Sequence, residues 1–305
     1  MKAYKKIILS VVSVILVIAF VGVGQMFIYY PHYRANKKAV SIDDIDEKGE
    51  FRVMSCNLRC ISPDDFGKKS WFYRADLQIK NIVSEAPDVI GFQEATKYHY
   101  SYLCDTLKEY DSVITYRDNS LLSESCPVFY RTDKYKLIDK GSFWLSETPD
   151  KMSKDWGSNR YRVCSFVILE TTDTKTQFAV FNTHLDHISE EARIKGIKVI
   201  LDKIEEFGGL PSMIMGDFNA EEDSETYKSA TENFLDVKYQ TDHTMNSCTY
   251  QNFGKELDRE NIDYLMISKT GFTVNSYKVV TTTYDGVYPS DHFPLSVSLQ
   301  LAEQN

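Results

Sequence analysis

Eight short apolar segments, each rich in β-branched and aromatic residues, recur between residues 51 and 301. Segments of this length and composition predict β-strands. Because no internal repeat and no Pro- or Gly-rich break interrupts this region, residues 51–303 are predicted to form one domain. The segments are residues 51–57, 88–93, 127–131, 163–170, 178–184, 212–217, 262–268 and 294–301.

Helical patterns occupy two of the intervals between these segments. The first has apolar residues at helical spacing from Phe72 to Val83 and is followed by Pro87. The second extends from Ile194 to Phe207, just before two glycines. Strands interspersed with helices predict a mixed α/β domain.

Ahead of this domain, residues 7–28 carry no charged side chain. As a helix this run would span about 33 Å, roughly one bilayer core. It is longer than the hydrophobic region of a typical signal peptide, has no A-x-A cleavage site and is followed by Tyr29 and Tyr30. Residues 1–30 are therefore predicted to be an N-terminal transmembrane helix, with a cleaved secretory signal as the alternative.

Lysines at the N-terminus predict the orientation of this anchor, because basic residues favour the cytoplasmic side of a membrane. The chain is then expected to be a single-pass protein of the cell membrane with its domain outside the cell, or a secreted protein if the segment is cleaved. Residues 31–50 are mostly polar and charged and are predicted to be a linker.

Polar or ionisable residues stand at the ends of several predicted strands. Burying so many polar groups beside apolar strands is costly unless each is paired, hydrated or bound to a metal. For any single residue the alternative is a turn former or a helix cap. Together they predict a site at one edge of the sheets. They are Asn57, Glu94, His184, Asp217, Asn219, Asp263, Asp291 and His292.

Seven motifs contain these residues or lie between them. They are NLR (57–59), DVIGFQE (88–94), FWLSETPD (143–150), NTHLDH (182–187), GDFNA (216–220), IDYLMIS (262–268) and SDHFPL (290–295). In this order they resemble the endonuclease/exonuclease/phosphatase superfamily, which has the DNase I-like fold. The FWLSETPD segment resembles a bacterial branch of that family. The resemblance implies a four-layer α/β sandwich, in which two packed mixed β-sheets are flanked by helices.

A divalent cation is expected in such a site, because converging carboxylates repel one another without one. The resemblance implies that Glu94 is the principal metal ligand, with Asn57 beside it and Asp291 contributing directly or through water. Oxygen donors of this kind suit Mg²⁺, with Mn²⁺ as the alternative.

The catalytic roles are also implied by the resemblance. Asp217 corresponds to the residue that orients or deprotonates the attacking water, and Asn219 to an amide donor for a phosphate oxygen. His184 and His292 would contact the phosphate, and Asp263 would hold the ring of His292. The general base is left open between the aspartate and the histidine.

Two further residues are candidates for substrate binding. Arg162 matches a family position that could clamp a phosphate, or it pairs with acidic groups. Asp186 lies either at the edge of the site or caps a loop. A zinc pair of His184 and His187 is disfavoured, because this separation on a strand puts the side chains on opposite faces. Trp71 and Arg74, at the start of the first predicted helix, are expected to serve packing and helix support.

The predicted function is that of a membrane-anchored, Mg²⁺-dependent phosphoesterase in which metal-activated water attacks a phosphate mono- or diester. Alternatives are a nuclease acting on extracellular nucleic acid, a phospholipid or sphingolipid phosphodiesterase, and a non-catalytic cell-surface binding module. The net charge of -9 disfavours a protein that tracks long nucleic acids, since Lys and Arg supply that affinity. The expected partners are the phosphate-ester substrate (a small molecule, lipid headgroup or nucleic acid) and the membrane, with no obligate protein partner.

Overall fold

The computed structural model describes residues 4, 8, 10–14, 24, 27–44 and 49–302. Within residues 30–44 and 49–302 the chain forms five α-helices, three short 3-10 helices and two β-sheets. The helices are α1 (Tyr30–Asn36), α2 (Trp71–Glu85), α3 (Lys97–Thr106), α4 (Glu190–Glu205) and α5 (Glu225–Thr231). The strands are β1 (Glu50–Asn57), β2 (Val89–Gln93), β3 (Tyr110–Val113), β4 (Val128–Arg131), β5 (Tyr135–Trp144), β6 (Val163–Thr171), β7 (Gln177–His184), β8 (Ser212–Asp217), β9 (Phe234–Asp236), β10 (Thr244–Met245), β11 (Asp263–Ser268), β12 (Phe272–Val279) and β13 (Leu295–Leu301).

The two sheets are mixed and pack face to face. The first has the strand order β10-β12-β13-β1-β2-β4-β3, and the second β5-β6-β7-β8-β11-β9. Their inner faces share one buried cluster, to which Val53 and Val89 contribute from the first sheet and Val180 and Leu265 from the second. Each sheet also buries its outer face under helices, α2 and α3 on the first and α4 and α5 on the second. The predicted four-layer sandwich is thereby confirmed.

The sheets approach most closely where β2 crosses β7 and β8. A side chain at Gly91 would place its Cβ 2.6 Å from the Met215 side chain and 2.8 Å from that of Asn182. Two hydrogen bonds also join the sheets here, from Asn182 Nδ2 to Phe92 O (2.8 Å) and from Gln93 Nε2 to Asn182 Oδ1 (2.7 Å). This contact brings the carboxyl end of β2 beside those of β7 and β8.

Both predicted helices are present. Helix α2 ends at Glu85 and is capped by Ala86, which adopts a left-handed conformation immediately before Pro87. Helix α4 begins earlier than its apolar pattern, because the Ser189 side chain accepts a hydrogen bond from the backbone of Ala192 and caps the helix. The apolar residues of each helix face the sheet beneath it.

Five strands were not predicted, namely β3, β5, β9, β10 and β12. Four of them are the edge strands of the two sheets. An edge strand buries less of its surface than a central one, so its apolar signal is weaker. Strand β5, for example, is ten residues long but mostly exposed or half-buried.

The predicted transmembrane helix, residues 1–30, falls largely outside the described residues. Among those that are described, no helix combines the length and the hydrophobicity needed to cross a bilayer. The chain from residue 27 to residue 44 packs on the domain. Tyr33 of α1 is buried against Phe72 and Tyr102, with ring centroids 5.2 and 4.8 Å away, and the backbone of Val40 donates to Thr106 O over 2.9 Å.

Candidate active site

The candidate site lies where two parallel strand pairs end side by side. Asn57 is the last residue of β1 and Glu94 directly follows β2, while His184 ends β7 and Asp217 ends β8. The carboxyl ends of parallel strands meet at the same edge of a sheet, and the packing of the two sheets places both edges together. Four of the predicted residues are thus brought to one place by topology.

Two neighbouring elements complete the cluster. Asp263, the first residue of β11, pairs with Asp217 in the antiparallel register of β11 and β8. Asp291 and His292 lie just before β13, whose first residue pairs with Ser55 near the end of β1. The predicted residues therefore come from both sheets and meet at their common edge.

Asn57 joins the two sheets through its amide group. Its Nδ2 donates to Glu94 Oε1 over 3.2 Å and to Asp217 Oδ2 over 2.9 Å. Its Oδ1 accepts a hydrogen bond from the backbone of Arg59 over 2.9 Å, which orients the amide. A single neutral amide thus lies between the half-buried carboxylate of Glu94 and the buried carboxylate of Asp217.

Glu94 is held in a constrained backbone conformation with φ of 58°, which is uncommon for a residue with a Cβ. Its Oε2 accepts a hydrogen bond from the Cys60 backbone over 2.6 Å. Burial alone would raise the pKa of Glu94, but that hydrogen bond and the charges of His292 and Arg59 hold the pKa below its ordinary value. Glu94 is therefore an anion throughout the neutral range.

Asp263 fixes the second histidine of the site. His292 Nδ1 lies 2.8 Å from Asp263 Oδ2, and its Nε2 lies 3.8 Å from Asp217 Oδ2. Burial opposes the charged form of the ring, but the carboxylates of Asp263, Asp217 and Asp291 raise the pKa of His292 to about 10. At neutral pH the ring is an imidazolium that can donate from both nitrogens.

Asp217 is the most buried carboxylate at the centre of the cluster. Burial and the neighbouring charges of Asp263 and Glu94 raise the pKa of Asp217 to about 7. Gly216 precedes it with φ of 142°, where an added Cβ would lie 1.9 Å from Thr183 O. Only glycine fits this position, so the backbone of β8 can approach β7 and carry Asp217 beside His184.

His184 is a neutral ring that accepts from Asn219. Asn219 Nδ2 lies 2.9 Å from His184 Nε2, and Asn219 itself has a left-handed φ of 50°. Burial and the charges of Arg162 and Arg117 lower the pKa of His184 well below its usual value. With Nε2 as acceptor, the proton lies on Nδ1, which is buried and has no hydrogen-bond partner in the described structure.

Arg74 supports the loops that carry the site, a role that the sequence did not reveal. This buried guanidinium donates to the carbonyls of Leu58, Arg59 and Pro289, which lie in two loops far apart in sequence. Arg59 in turn contacts Asp291, with 3.5 Å between Nη1 and Oδ2. Trp71 is buried beside Arg74, as expected for a packing residue.

The site suits a hard divalent cation. Among the described residues, two groups of ligand atoms lie within 4.8 Å of one another: Glu94, His184 and Asp217, and Asp217, Asp263 and His292. The second group is less suitable, because a charged imidazolium has no free lone pair. In the first group, the only donor common to Glu94 and Asp217 is the Asn57 amide. A cation coordinated by oxygen atoms would therefore offset the repulsion between these two carboxylates. Neither group includes Asp291.

The substrate-side candidates form a second cluster on the same cavity. Arg162 Nη2 lies 3.0 Å from His187 Nδ1, and its Nε lies 3.5 Å from Asp186 Oδ2. Asp186 accepts four backbone hydrogen bonds, from Asn159, Arg160, Ile188 and Ser189, so it acts as a loop cap. No group of three or more possible metal ligands in the described structure includes His187, which lies beyond the end of β7 and lines the same cavity as His184.

A cavity of about 720 Å³ is lined by residues of both clusters. Six arginines from separate parts of the chain converge on its walls, beside six carboxylates. No motif marks these residues, and only the folded chain shows that they are neighbours. The arginines that line it are Arg59, Arg117, Arg160, Arg162, Arg193 and Arg259.

Comparison with known proteins identifies relatives of the whole domain. The model of the endonuclease/exonuclease/phosphatase family matches residues 54–292. The solved structure of an endonuclease/exonuclease/phosphatase from Bacteroides vulgatus is 30% identical, covers 84% of this chain and 100% of that chain, and has a TM-score of 0.79. The mannosyl-6-phosphatase Bt3783 from Bacteroides thetaiotaomicron is 31% identical, covers 82% of this chain and 99% of that chain, and has a TM-score of 0.76.

A curated relative is considerably longer than this chain. The 3'-5'-exoribonuclease subunit Ccr4 of the CCR4-Not complex from Yarrowia lipolytica is 23% identical over 77% of this chain, and the match spans 44% of Ccr4.

Proposed function

Because the chain belongs to the endonuclease/exonuclease/phosphatase family, whose members are hydrolases acting on phosphate esters, we propose that the cluster around Asp217 hydrolyses a phosphate ester with the help of a divalent cation. The observation that carries this proposal is the Asn57 amide, which lies between Glu94 of one sheet and Asp217 of the other. This arrangement places oxygen donors, a titratable carboxylate, a neutral histidine and a charged histidine on one cavity.

Glu94 and Asn57 are the proposed metal ligands, and Asp291 acts directly or through a water molecule. The preferred ion is Mg²⁺, with Mn²⁺ as the alternative, because the donors are oxygen atoms. When bound, such an ion neutralises phosphate charge and lowers the pKa of the water molecule it holds.

The residues of the chain perform the remaining steps. Asp217, whose pKa is raised to about 7, orients the attacking water and accepts its proton. His292, held by Asp263 and charged at neutral pH, donates to a phosphate oxygen as negative charge develops. His184, whose ring is oriented by the Asn219 amide, lines the same cavity and is the second proposed contact of the phosphate.

A small phosphorylated metabolite is the proposed substrate, with a monoester as the reacting group. Likeness to a mannosyl-6-phosphatase over nearly all of that protein supports this class. A cavity of about 720 Å³ that opens to solvent has the size of sites that hold a small molecule. The second candidate is an exoribonuclease, which the likeness to Ccr4 and the arginines of the cavity favour.

The proposed location is the outer face of the cell membrane. The uncharged run of residues 7–28 and the basic residues before it support an anchor with its domain outside the cell. Protease added to intact cells should digest the domain, whereas complete protection would place the domain on the other side of the membrane.

The activity is tested with full-length protein purified in detergent, using an aryl phosphate monoester and an aryl phosphodiester. Hydrolysis should be abolished by EDTA and restored by Mg²⁺. Asp217→Asn should lower kcat by about 10²- to 10⁴-fold, the usual contribution of a general base. Asp173→Asn, in an exposed turn, is the matched control. Hydrolysis that resists EDTA, or an Asp217→Asn variant as active as wild type, would overturn the mechanism.

A further inference from the structure

The uncharged run at the N-terminus joins the domain at the end that carries the cavity. Phe27, which belongs to this run, packs against Phe72 and Tyr98, with ring centroids 5.0 and 6.2 Å away. Phe72 is the second residue of α2, and Tyr98 is the second residue of α3. Helix α2 is the next α-helix after β1, and α3 begins soon after β2, so both helices begin at the edge where these strands end. The run therefore meets the domain beside the candidate site.

The path of the chain along α3 shows the same arrangement. In the first turn of α3, His99 Nε2 lies 3.2 Å from the carbonyl oxygen of Arg59, a residue that lines the cavity. At the other end of α3, the backbone of Val40 donates to Thr106 O over 2.9 Å. Between Phe27 and Val40 the chain thus passes from the cavity end of the domain to the far end. Because Phe27 itself packs on the domain, no linker separates the uncharged run from it.

The described residues of the uncharged run are exposed. Ile8, Val11, Val12 and Val14 each expose between 45% and 57% of their surface. Aliphatic side chains exposed in succession favour a nonpolar surrounding over water. As a helix, residues 7–28 would have the length of a bilayer core. The partner that fits this run is therefore a lipid bilayer.

The loops at the cavity end also expose apolar side chains. In residues 49–302 six large apolar side chains are more than half exposed, and four of them lie in loops of this end. Single exposed apolar residues are common, but four on the loops of one end form a candidate surface for a nonpolar partner. The four loops follow β1, precede β4, follow β7 and precede β11. We call the four side chains the apolar rim: Phe66, Leu121, Ile188 and Leu257.

The apolar rim lies around the mouth of the cavity, because the same four loops supply residues that line it. Ile188 directly follows one such residue, His187. Leu121, the most exposed of the four at 79%, lies in a turn between two others, and a backbone hydrogen bond from Arg117 to Glu124 closes that turn. The lining residues of the four loops include Arg59, Arg117, Glu124, His187 and Arg259.

We propose that the apolar rim rests on the surface of the bilayer that holds residues 7–28, so that the cavity opens toward the membrane. The inference rests on the proposed anchor and is independent of the proposed hydrolysis. Attachment at Phe27 keeps the rim at a high local concentration beside the lipid, so a weak apolar contact is sufficient. Contact with the lipid removes the apolar surface of the rim from water.

The test uses full-length protein in phosphatidylcholine nanodiscs, prepared with ordinary acyl chains or with brominated chains that quench nearby tryptophans. Leu121→Trp and Ile188→Trp place reporters on loops of different sheets. Asp173→Trp is the matched control, because it lies in the exposed turn before β7, at the opposite end of that strand from His184. Wild-type emission in the same nanodiscs is subtracted. Brominated chains should quench most of the emission added at residues 121 and 188, and none of that added at residue 173.

The possible failures are distinguishable. Unquenched emission at residue 121 or residue 188, or equal quenching at residue 173, would refute docking of the apolar rim. Wild-type protein that does not co-elute with nanodiscs would refute the anchor and the docking together. The readout needs no turnover, so quenched reporters on a protein that hydrolyses no phosphate ester would refute the proposed function and support the docking.

Discussion

Asn57 and Asp217 belong to different sheets, yet Nδ2 of Asn57 donates to Oδ2 of Asp217 over 2.9 Å. The same amide reaches Glu94 at 3.2 Å. One side chain thus sets the separation of two carboxylates, one half-buried and one buried, whose charges repel each other. The geometry of the candidate site depends on how the two sheets pack, and not on either sheet alone.

Asn57→Ala should weaken binding of the divalent cation and lower activity together. The substitution removes one proposed ligand of the cation and the amide that positions Glu94 and Asp217, so metal affinity should fall by about 10- to 100-fold. Loss of two buried hydrogen bonds should also lower the free energy of unfolding by about 1–3 kcal/mol. Titration with Mn²⁺ and urea denaturation measure the two effects. Asn233→Ala, at an exposed position, is the control, and equal metal affinity in both variants would contradict the assignment of Asn57.

His292 should stabilise the metal-free protein in a pH-dependent manner. Its pKa rises from the ordinary 6.5 to about 10 in the folded chain, mainly through Asp263 acting against burial. A group whose pKa is raised on folding contributes stability that is complete below pH 6.5 and is lost as the pH rises to about 10. The difference in Tm between wild type and His292→Gln in EDTA should therefore shrink across this window. A difference that stays constant or grows would show that the ring is not held as an imidazolium.

Gly216→Ala should severely destabilise the protein. The new Cβ would lie 1.9 Å from Thr183 O at a φ of 142°, so the backbones of β7 and β8 must separate. We expect a loss of about 3 kcal/mol or more in the free energy of unfolding, measured in urea. Gly208→Ala is a matched control: its φ is also positive, at 70°, but nothing lies within 4 Å of the added carbon. It should cost only about 1 kcal/mol, and similar losses in both variants would contradict the close approach of the strands.

The central strands and the residues at their ends were predictable, because both leave a local signal. A strand such as β8 is apolar throughout and ends abruptly in Asp217, so a buried carboxylate is visible in the sequence itself. The parallel pairing of β7 with β8 then places His184 beside it. That these residues meet follows from the likeness of seven ordered motifs to one family, and not from any of them singly.

The arginines of the cavity could not be predicted in the same way. Arg117 lies in a connecting loop outside the named strands, and its position depends on Trp144, whose indole holds its carbonyl. Asp186 was ambiguous in sequence for a related reason, because a loop cap and a site-edge residue have the same local pattern. Its four backbone hydrogen bonds are visible only in the folded chain.

The segment before β1 should contribute to the stability of the domain. Tyr33 is 3% exposed, packs against Phe72 and Tyr102, and donates its hydroxyl to Tyr98 O over 2.7 Å. Because Tyr33→Ala removes a buried aromatic ring, it should lower the free energy of unfolding by about 3–5 kcal/mol, the usual cost in a core. Arg34→Ala, at the exposed neighbouring position, should change it by less than about 0.5 kcal/mol. Urea denaturation of the full-length protein in detergent measures both, and a Tyr33→Ala variant as stable as Arg34→Ala would show that α1 does not pack on α2 and α3.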